Sequence, residues 1–328
     1  MGRLCLFIVM MMLCCESLFA QKDSIRIAFY NCENFYDSFR DSTINDVDYT
    51  PEGSRRWTYS RFLAKRNGIF KVFASMSTPT PPEIIGLCEV ENRFVLNKLC
   101  YETPLSKFEY AVVHQNSSNA RGIDVALIYQ KNRLRLLSTR YFNPNILDTS
   151  LRTRSILYSR FKWGEFDTLH VFVNHFPSKL GGERSNRSRM LVARFLKSKA
   201  DSILAKNQSA SVIVTGDFND LPQSDALNIL NDSLLVNLAA PLAKEGRGSI
   251  KFDGTWELID QLIVSRGLIN GDTPVTLKGG MTIYSDTFMQ EDDLENGGLK
   301  PRRTYNGYRY NGGYSDHLPV FIQLVLTL

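Results

Sequence analysis

"VIVTGDFND", residues 212–220, is the stretch on which the reading of the whole chain turns. Four β-branched residues, Val212 to Thr215, run into Gly216, and two polar residues, Asp217 and Asn219, follow. β-branched side chains suit a packed, pleated surface, so the run reads as a strand. Period two then places Asp217 and Asn219 on one face at its end. The same arrangement recurs: "IRIAFYNCEN" (25–34) ends in Asn31 and Glu33, "EIIGLCEVEN" (83–92) in Glu89 and Glu91, and "LHVFVNHFPSK" (169–179) in His175. By the same alternation Asn31 and Glu33 share a face, as do Glu89 and Glu91. "WELIDQLIVS" (256–265) embeds Asp260 among apolar neighbours, and "YSDHLPV" (314–320) sets Asp316 and His317 just before a final apolar run. One acid or amide at a strand end is an ordinary turn residue. The repetition is the signal: paired strands would gather these tips along one rim.

Further strand-like runs are "EYAVVHQ" (109–115), "DVALIYQ" (124–130), "RSILYSRFKW" (154–163) and "LPVFIQLVL" (318–326). Helical spacing of apolar residues predicts helices over about 59–76 and 186–207, with a shorter one after Pro222. Many strands with few helices do not suit simple βαβ alternation. They suit an α/β (α+β) chain with two sheets packed face to face and helices outside. The polar stretch from Asp286 to Arg303 reads as a long surface loop, and no linker or repeat divides the chain.

The first residues read differently from the rest. Arg3, the apolar run "LCLFIVMMMLCC" and small Ala20 have the pattern of a secretory signal peptide cleaved near Ala20, before Gln21. The expectation is an exported protein, periplasmic or extracellular, whose residues 21–328 form a single domain. The apolar run is too short to span a bilayer, which takes about 20 residues, so stable membrane insertion is not expected. Cys32, Cys88 and Cys100 remain after cleavage. An odd count argues for buried thiols, with a Cys32–Cys88 bridge as the alternative. The net charge of +5 permits an anionic substrate without demanding nucleic acid. No obligate protein partner is evident.

Carboxylate oxygens at such a rim suit Mg²⁺, with Mn²⁺ or Ca²⁺ as alternatives, rather than zinc. Imidazoles and amides beside the ion would stabilise charge on a phosphoryl group and handle the proton of an attacking water. Lys179, Arg184, Arg187 and Arg189, after His175, add groups able to bind phosphate. Together these residue types point to metal-assisted hydrolysis of a phosphate ester.

The ordered stretches "FYNCENFYD", "GLCEVEN", "RGIDVALIY", "VNHFPSK", "VTGDFND", "IDQLIVS" and "GGYSDHLPV" resemble the endonuclease/exonuclease/phosphatase superfamily, the DNase I-like proteins. The resemblance implies a four-layer α/β/β/α sandwich with two mixed β-sheets inside. It also implies roles. Glu89 is the expected principal metal ligand, supported by Glu33 and Asp316. Asn31 is expected to contact phosphate or orient the carboxylates. Asp217 would orient or deprotonate the attacking water, and Asn219 would position it. Asp260 would hydrogen-bond His317, which would contact the scissile phosphate. His175 is expected near the leaving group, and Arg121, Lys179 and Arg187 around the substrate. His114 and His170 are assigned to structure, and Glu91 and Asp220 to support. The implied activity is a phosphodiesterase or phosphomonoesterase, nuclease-like or acting on small phosphates. A phospholipid or sphingomyelin phosphodiesterase and a silent phosphate-binding protein are the alternatives.

Overall fold

The computed structural model describes residues 23–326, apart from 118, 152 and 166. Residues 1–20, expected from the sequence to be a signal peptide, lie outside them. Strand β1 (Ser24–Phe35) pairs in parallel with β2 (Ile84–Val90), and helix α1 (Tyr59–Ser75) crosses between them. Helix α2 (Arg93–Tyr101) follows, and β3 (Tyr110–His114) and β4 (Asp124–Gln130) extend the sheet antiparallel. A second sheet begins with the meander β5 (Leu134–Phe142), β6 (Ile156–Trp163) and β7 (Asp167–His175). Helix α3 (Gly182–Leu204) then crosses to β8 (Ser211–Asp217), parallel to β7.

After a short helix, α4 (Asp225–Ile229), come β9 (Leu235–Asn237) and a hairpin of β10 (Ile250–Phe252) and β11 (Thr255–Glu257). Strand β12 (Asp260–Ser265) lies between β8 and β9. Strand β13 (Val275–Ile283) is followed by two hairpins, β14 (Gln290–Asp292) with β15 (Leu299–Pro301) and β16 (Tyr305–Asn306) with β17 (Arg309–Tyr310). Strand β18 (Val320–Leu326) returns to the first sheet between β13 and β1. The sheet orders are β13-β18-β1-β2-β4-β3 and β5-β6-β7-β8-β12-β9. Each is mixed, with one central parallel pair.

Side chains cap the N-termini of α1 and α2. Thr58 accepts from Arg61 N ahead of α1, and Asn92 accepts from Val95 N ahead of α2. Each thereby satisfies an amide that the helix leaves free. Phe62, Ile69, Val72 and Phe73 of α1 join the core of the first sheet, and Val192, Leu196 and Leu204 of α3 join that of the second. Strand β8 divides the layers within one segment: Ile213 packs between the sheets, whereas Val212 and Val214 pack beneath α3. The result is the expected α/β/β/α sandwich. Strands buried on both faces account for the unbroken apolar runs.

Two sequence expectations change. The stretch from Asp286 to Arg303 is not simply a loop: it folds into the β14–β15 hairpin, fastened to β10 by the Lys251–Asp293 ion pair of 2.9 Å. And the alternation expected at the ends of β1 and β2 fails. The β1–β2 register shifts between Asn31 and Phe35, and the β2–β4 register shifts between Cys88 and Val90. Glu33, Asn34 and Glu89 take positive φ there, 47°, 54° and 57°. A bulge re-aims the side chains that follow it, so Asn31 and Glu33 diverge, as do Glu89 and Glu91.

Among the described residues no helix is long and apolar enough to cross a membrane. Cys32, Cys88 and Cys100 are buried free thiols, so the Cys32–Cys88 bridge does not form.

At Gly216 β7 and β8 approach too closely for a side chain: a Cβ there would lie 2.4 Å from Asn174 O and 2.8 Å from Asn174 Cβ. Backbone cannot yield cheaply, so Gly216→Ala is expected to destabilise the protein by about 2–3 kcal/mol. A urea midpoint unchanged from wild type would contradict this account of the β7–β8 approach.

Candidate active site

Topology alone brings the remote motifs together. The parallel strands β1 and β2 finish at one edge of the first sheet, and β7 and β8 at the same edge of the second. The antiparallel β12 starts there, with Asp260 opposite Asp217 in register. So does β18, whose approach carries Asp316 and His317; His317 also bridges Ile250 of β10.

The side chains meet across the two sheets. His317 Nδ1 is 2.6 Å from Asp260 Oδ2, which also accepts from Ser249 Oγ at 2.5 Å. Asn31 Nδ2 donates to Asp217 Oδ2 at 3.0 Å and lies 3.4 Å from His317 Nε2. His175 Nε2 is 3.7 Å from the same Asp217 oxygen. Asn219 N donates to Asp217 Oδ1 at 2.8 Å, and its side-chain amide donates to Phe176 O at 3.0 Å. Ser315 Oγ donates to Asn31 O and accepts from His317 N, which ties the turn before β18 to the end of β1. Asn31, His175, Asp217, Asp260 and His317 are all buried.

Beside this cluster stands a second group of acids. Glu33 accepts from Thr304 N at 2.6 Å and from Arg303 Nε at 3.2 Å, with Lys65 Nζ 3.7 Å away. Arg303 also reaches Asp316 Oδ2 at 2.9 Å, and Asp316 Oδ1 is 3.8 Å from His317 Nε2. Glu89 Oε2 accepts from Asn34 N at 2.9 Å.

Residues 26–325 match the profile of the Endonuclease/Exonuclease/phosphatase family. The chain belongs to this family. Solved structures with the same fold include D. rerio TDP2 complexed with a single-strand DNA product (15% identity, TM-score 0.58, covering 92% of this chain and 99% of that one). An endonuclease/exonuclease/phosphatase family protein from Bacteroides thetaiotaomicron is similar too (16%, TM-score 0.58, 94% and 97%). So is the human nocturnin catalytic domain with a bound sulfate anion (16%, TM-score 0.55, 94% and 98%). No curated protein sequence matches the chain.

In this endonuclease/exonuclease/phosphatase family protein the two rim histidines differ in charge. Burial opposes a proton on His317, but the charge and hydrogen bond of Asp260 prevail and hold its pKa well above the ordinary imidazole value. Burial, reinforced by Arg154 and Arg121, holds His175 well below it. Burial, then the charge of Asp260, pushes the Asp217 carboxyl up to about 7. An imidazolium, a neutral imidazole and a carboxyl titrating near neutrality therefore share a few ångströms. Groups driven apart in this way are the usual raw material of acid–base chemistry.

The metal-ligand expectation needs sorting. Among the described residues, the ligand atoms that lie within 4.8 Å of one another are Cys88, His175 and Asp217, and Asp217, Asp260 and His317; neither set includes Glu33, Glu89 or Asp316. Burial holds the Cys88 thiol protonated, and Asp260 is committed to His317 Nδ1, so both sets read as hydrogen-bonded clusters. Glu33 is saturated by Arg303, Lys65 and Thr304 N. Glu89 Oε1 and Asp316 Oδ1 have no hydrogen-bond donor among the described residues. Two carboxylates suffice for Mg²⁺, which keeps several waters and uses substrate oxygens, so the donor set fits a hard cation.

The expected substrate residues scatter. Arg121 donates to Asn34 Oδ1 at 2.6 Å, at the rim. Lys179 pairs with Glu257 of β11 at 2.7 Å. Arg187 is 80% exposed on α3 and pairs with Glu183 one turn away. Arg189, read as able to bind phosphate, is instead buried against Asp220 at 2.8 Å. His114 lies 3.7 Å from Asp124, and His170 bonds Tyr158, as structural residues would. The sequence assigns no site role to Arg303, Lys65 or Ser249, yet the fold sets all three against rim acids. Ser249 carries no local signal, since only the tertiary fold sets it beside Asp260.

Because the folded pKa of His317 is raised, its stabilising contribution is full below its unfolded value of about 6.5. It is lost only as pH rises through the higher folded value. Imidazole ¹⁵N shifts of the EDTA-treated protein at pH 7 should find His317 doubly protonated and His175 neutral. Asp260→Asn should return His317 to the neutral form, and a neutral His317 in the wild-type protein would contradict the electrostatics.

Proposed function

We propose that the protein is a divalent-metal-dependent phosphoesterase, hydrolysing a phosphodiester or phosphomonoester by in-line attack of water. The observation that carries this reading is the convergence of Asn31, His175, Asp217, Asp260 and His317 from five separate segments onto one buried rim. Acids and imidazoles do not collect and desolvate in this way for stability, since burying them is costly without partners.

In this reading Asp217 takes the proton of the attacking water. Its Oδ1 is held by Asn219 N and its Oδ2 by Asn31, so the carboxylate cannot rotate away. Asn219, anchored through its amide nitrogen on Phe176 O, keeps its side-chain oxygen for orienting that water. The imidazolium of His317, fixed by Asp260, stabilises the charge that builds on the phosphoryl oxygens. Asn31 adds a donor beside it. Neutral His175, whose Nε2 lies 3.7 Å from Asp217 Oδ2, would take up the proton that Asp217 gains from the water and deliver it to the leaving group. Glu89 and Asp316 would hold the metal, Mg²⁺ being favoured and Mn²⁺ or Ca²⁺ workable, with Glu33 fixing Arg303 beside them. When bound, the ion would supply Lewis-acid polarisation of the phosphoryl oxygens.

As to substrate, the rim lies open beside a groove of roughly 1090 Å³ lined by the β10–β11, β14–β15 and β16–β17 hairpins, with Arg303 and Asp316 at one end. Six carboxylates and four cations line that groove, so its charge alone favours no polyanion, whereas a TDP2 of the same fold was solved with a single-strand DNA product. Nucleic acid therefore leads the substrate panel. The same reading takes residues 21–328 as one domain behind a secretion signal, which N-terminal sequencing of the exported protein would check.

Hydrolysis of a bis-aryl phosphodiester should be abolished by EDTA and restored by Mg²⁺. His317→Ala and Asp217→Asn should each lower turnover by about 10²–10⁴-fold. No hydrolysis of any phosphate ester by the wild type would favour a phosphate-binding protein instead. Asp260→Asn should reduce turnover by about a hundredfold while moving the urea midpoint little; losses of equal size in both would contradict its positioning role.

A further inference from the structure

The outer face of the second sheet carries a pocket that the phosphoesterase reading does not use. The first sheet has two helices on its outer side, α1 and α2, whereas the second is covered by α3 and the five-residue α4. Strands β5 and β6 therefore present part of their outer face beside the C-terminal half of α3. There a pocket of about 570 Å³ opens, lined among others by Arg140, Arg160, Lys199, Lys206, Tyr158 and His170. Its volume falls in the range of small-molecule sites, about 300–1,000 Å³.

Sheet register explains the composition. Arg140 stands opposite Tyr158 in the β5–β6 ladder, Ser138 opposite Arg160, and Arg160 opposite His170 of β7. Two cross-strand rows thus interleave guanidinium groups with rings. The other wall adds Lys199 from α3 and Lys206 from the turn just after it. His170 lies five residues before His175 on the same strand, about 16 Å from the catalytic rim.

The cations that line this pocket have no counter-ions within it. No carboxylate lines it. Among the described residues, the side chains of Arg140, Arg160 and Lys206 have no ion pair or hydrogen bond. Lys199 rests over the Phe142 and Phe195 rings instead of an acid. The contrast on α3 itself is direct: Lys197, two residues away, holds Asp201 at 2.5 Å and Asp232 at 2.9 Å. Elsewhere Arg133, Lys179, Arg189 and Lys251 are likewise each matched with an acid. Like charges gathered without acids repel one another, and an anion relieves that repulsion. The floor is polar as well. His170 Nδ1 lies 2.8 Å from Tyr158 Oη, and with that hydroxyl donating, the neutral ring carries its proton on Nε2 as a donor. Burial and the Arg160 charge hold His170 down to about 4, so the ring adds no further positive charge at neutral pH.

We propose that this pocket is a second, non-catalytic site for a small polyvalent oxyanion, a ligand with several phosphate or sulfate groups, remote from the rim that hydrolyses the ester. Arg140 and Arg160 from the sheet, with Lys199 of α3 and Lys206 of the turn after it, grip its oxygens from two walls, over the Tyr158–His170 pair. The proposal stands apart from the phosphoesterase reading, because it needs neither metal nor the rim residues.

The test is calorimetric titration of the metal-free protein, in EDTA at low salt, with inorganic tripolyphosphate as the probe. Arg140 and Arg160 are exposed, so an Arg140→Ala/Arg160→Ala double variant is expected to fold. It should bind at least tenfold more weakly, yet hydrolyse the bis-aryl phosphodiester as wild type does. His317→Ala, which disables the rim, should bind tripolyphosphate as wild type does. An Arg135→Ala/Arg194→Ala variant, which removes the same charge from exposed positions outside the pocket, should also bind normally. The proposal is overturned if the pocket variant binds undiminished, if His317→Ala abolishes binding, or if the control pair weakens it equally. It is also overturned if a twelve-nucleotide single strand binds through Arg140 and Arg160 while tripolyphosphate does not.

Discussion

The short contact between Asp260 and His317 joins the two halves of the molecule. Asp260 starts β12 in the second sheet, and His317 precedes β18 in the first. Asn31 of β1 and Asp217 of β8 make a second bond across the same seam. Each of these groups would be costly to bury alone and is tolerable only when its partner arrives from the opposite sheet. The rim is therefore a property of sheet-on-sheet packing and belongs to no single motif. It follows that the apolar layer between the sheets sets the precision of the site: a change in their spacing would separate donor from acceptor in every pair at once.

Backbone strain is concentrated at the same place. Glu33, Asn34, Glu89 and Asn219 all adopt positive φ, and all lie at strand ends on the rim. Such conformations cost about 1–3 kcal/mol each and persist where the surroundings over-determine them. Here those surroundings can be named: Asn31 Oδ1 accepts from Glu33 N, Glu89 Oε2 accepts from Asn34 N, and Asp217 Oδ1 accepts from Asn219 N. The acids and amides of the site thus hold the unusual backbone that displays them, and the backbone in turn aims them.

This interdependence explains what could be read from the sequence. Strands β1, β2, β7 and β8 were legible because both of their faces are buried and their apolar runs are unbroken. Strands β5 and β13 were missed: as sheet edges, their side chains are mostly only partly buried, and polar residues and glycines interrupt the pattern. The helices ended within a few residues of expectation, Tyr59–Ser75 against 59–76 and Gly182–Leu204 against 186–207. The ordered tips indicated which residues would converge. What they could not indicate was the bulges, because a shift of register is decided by the neighbouring strand. Nor could they reveal that Arg303, from a hairpin stretch read as loop, would take up Glu33, or that α3 would hold Arg189 against Asp220.

The central claim is that one phosphate and one divalent ion sit together on this seam. A crystal soaked with Mn²⁺ and orthovanadate addresses it directly, since manganese is located by its anomalous signal. The account predicts manganese on the Glu89 or Asp316 carboxylate and vanadate oxygens against His317 and Asn31. Manganese bound elsewhere, or vanadate out of reach of His317, would contradict it.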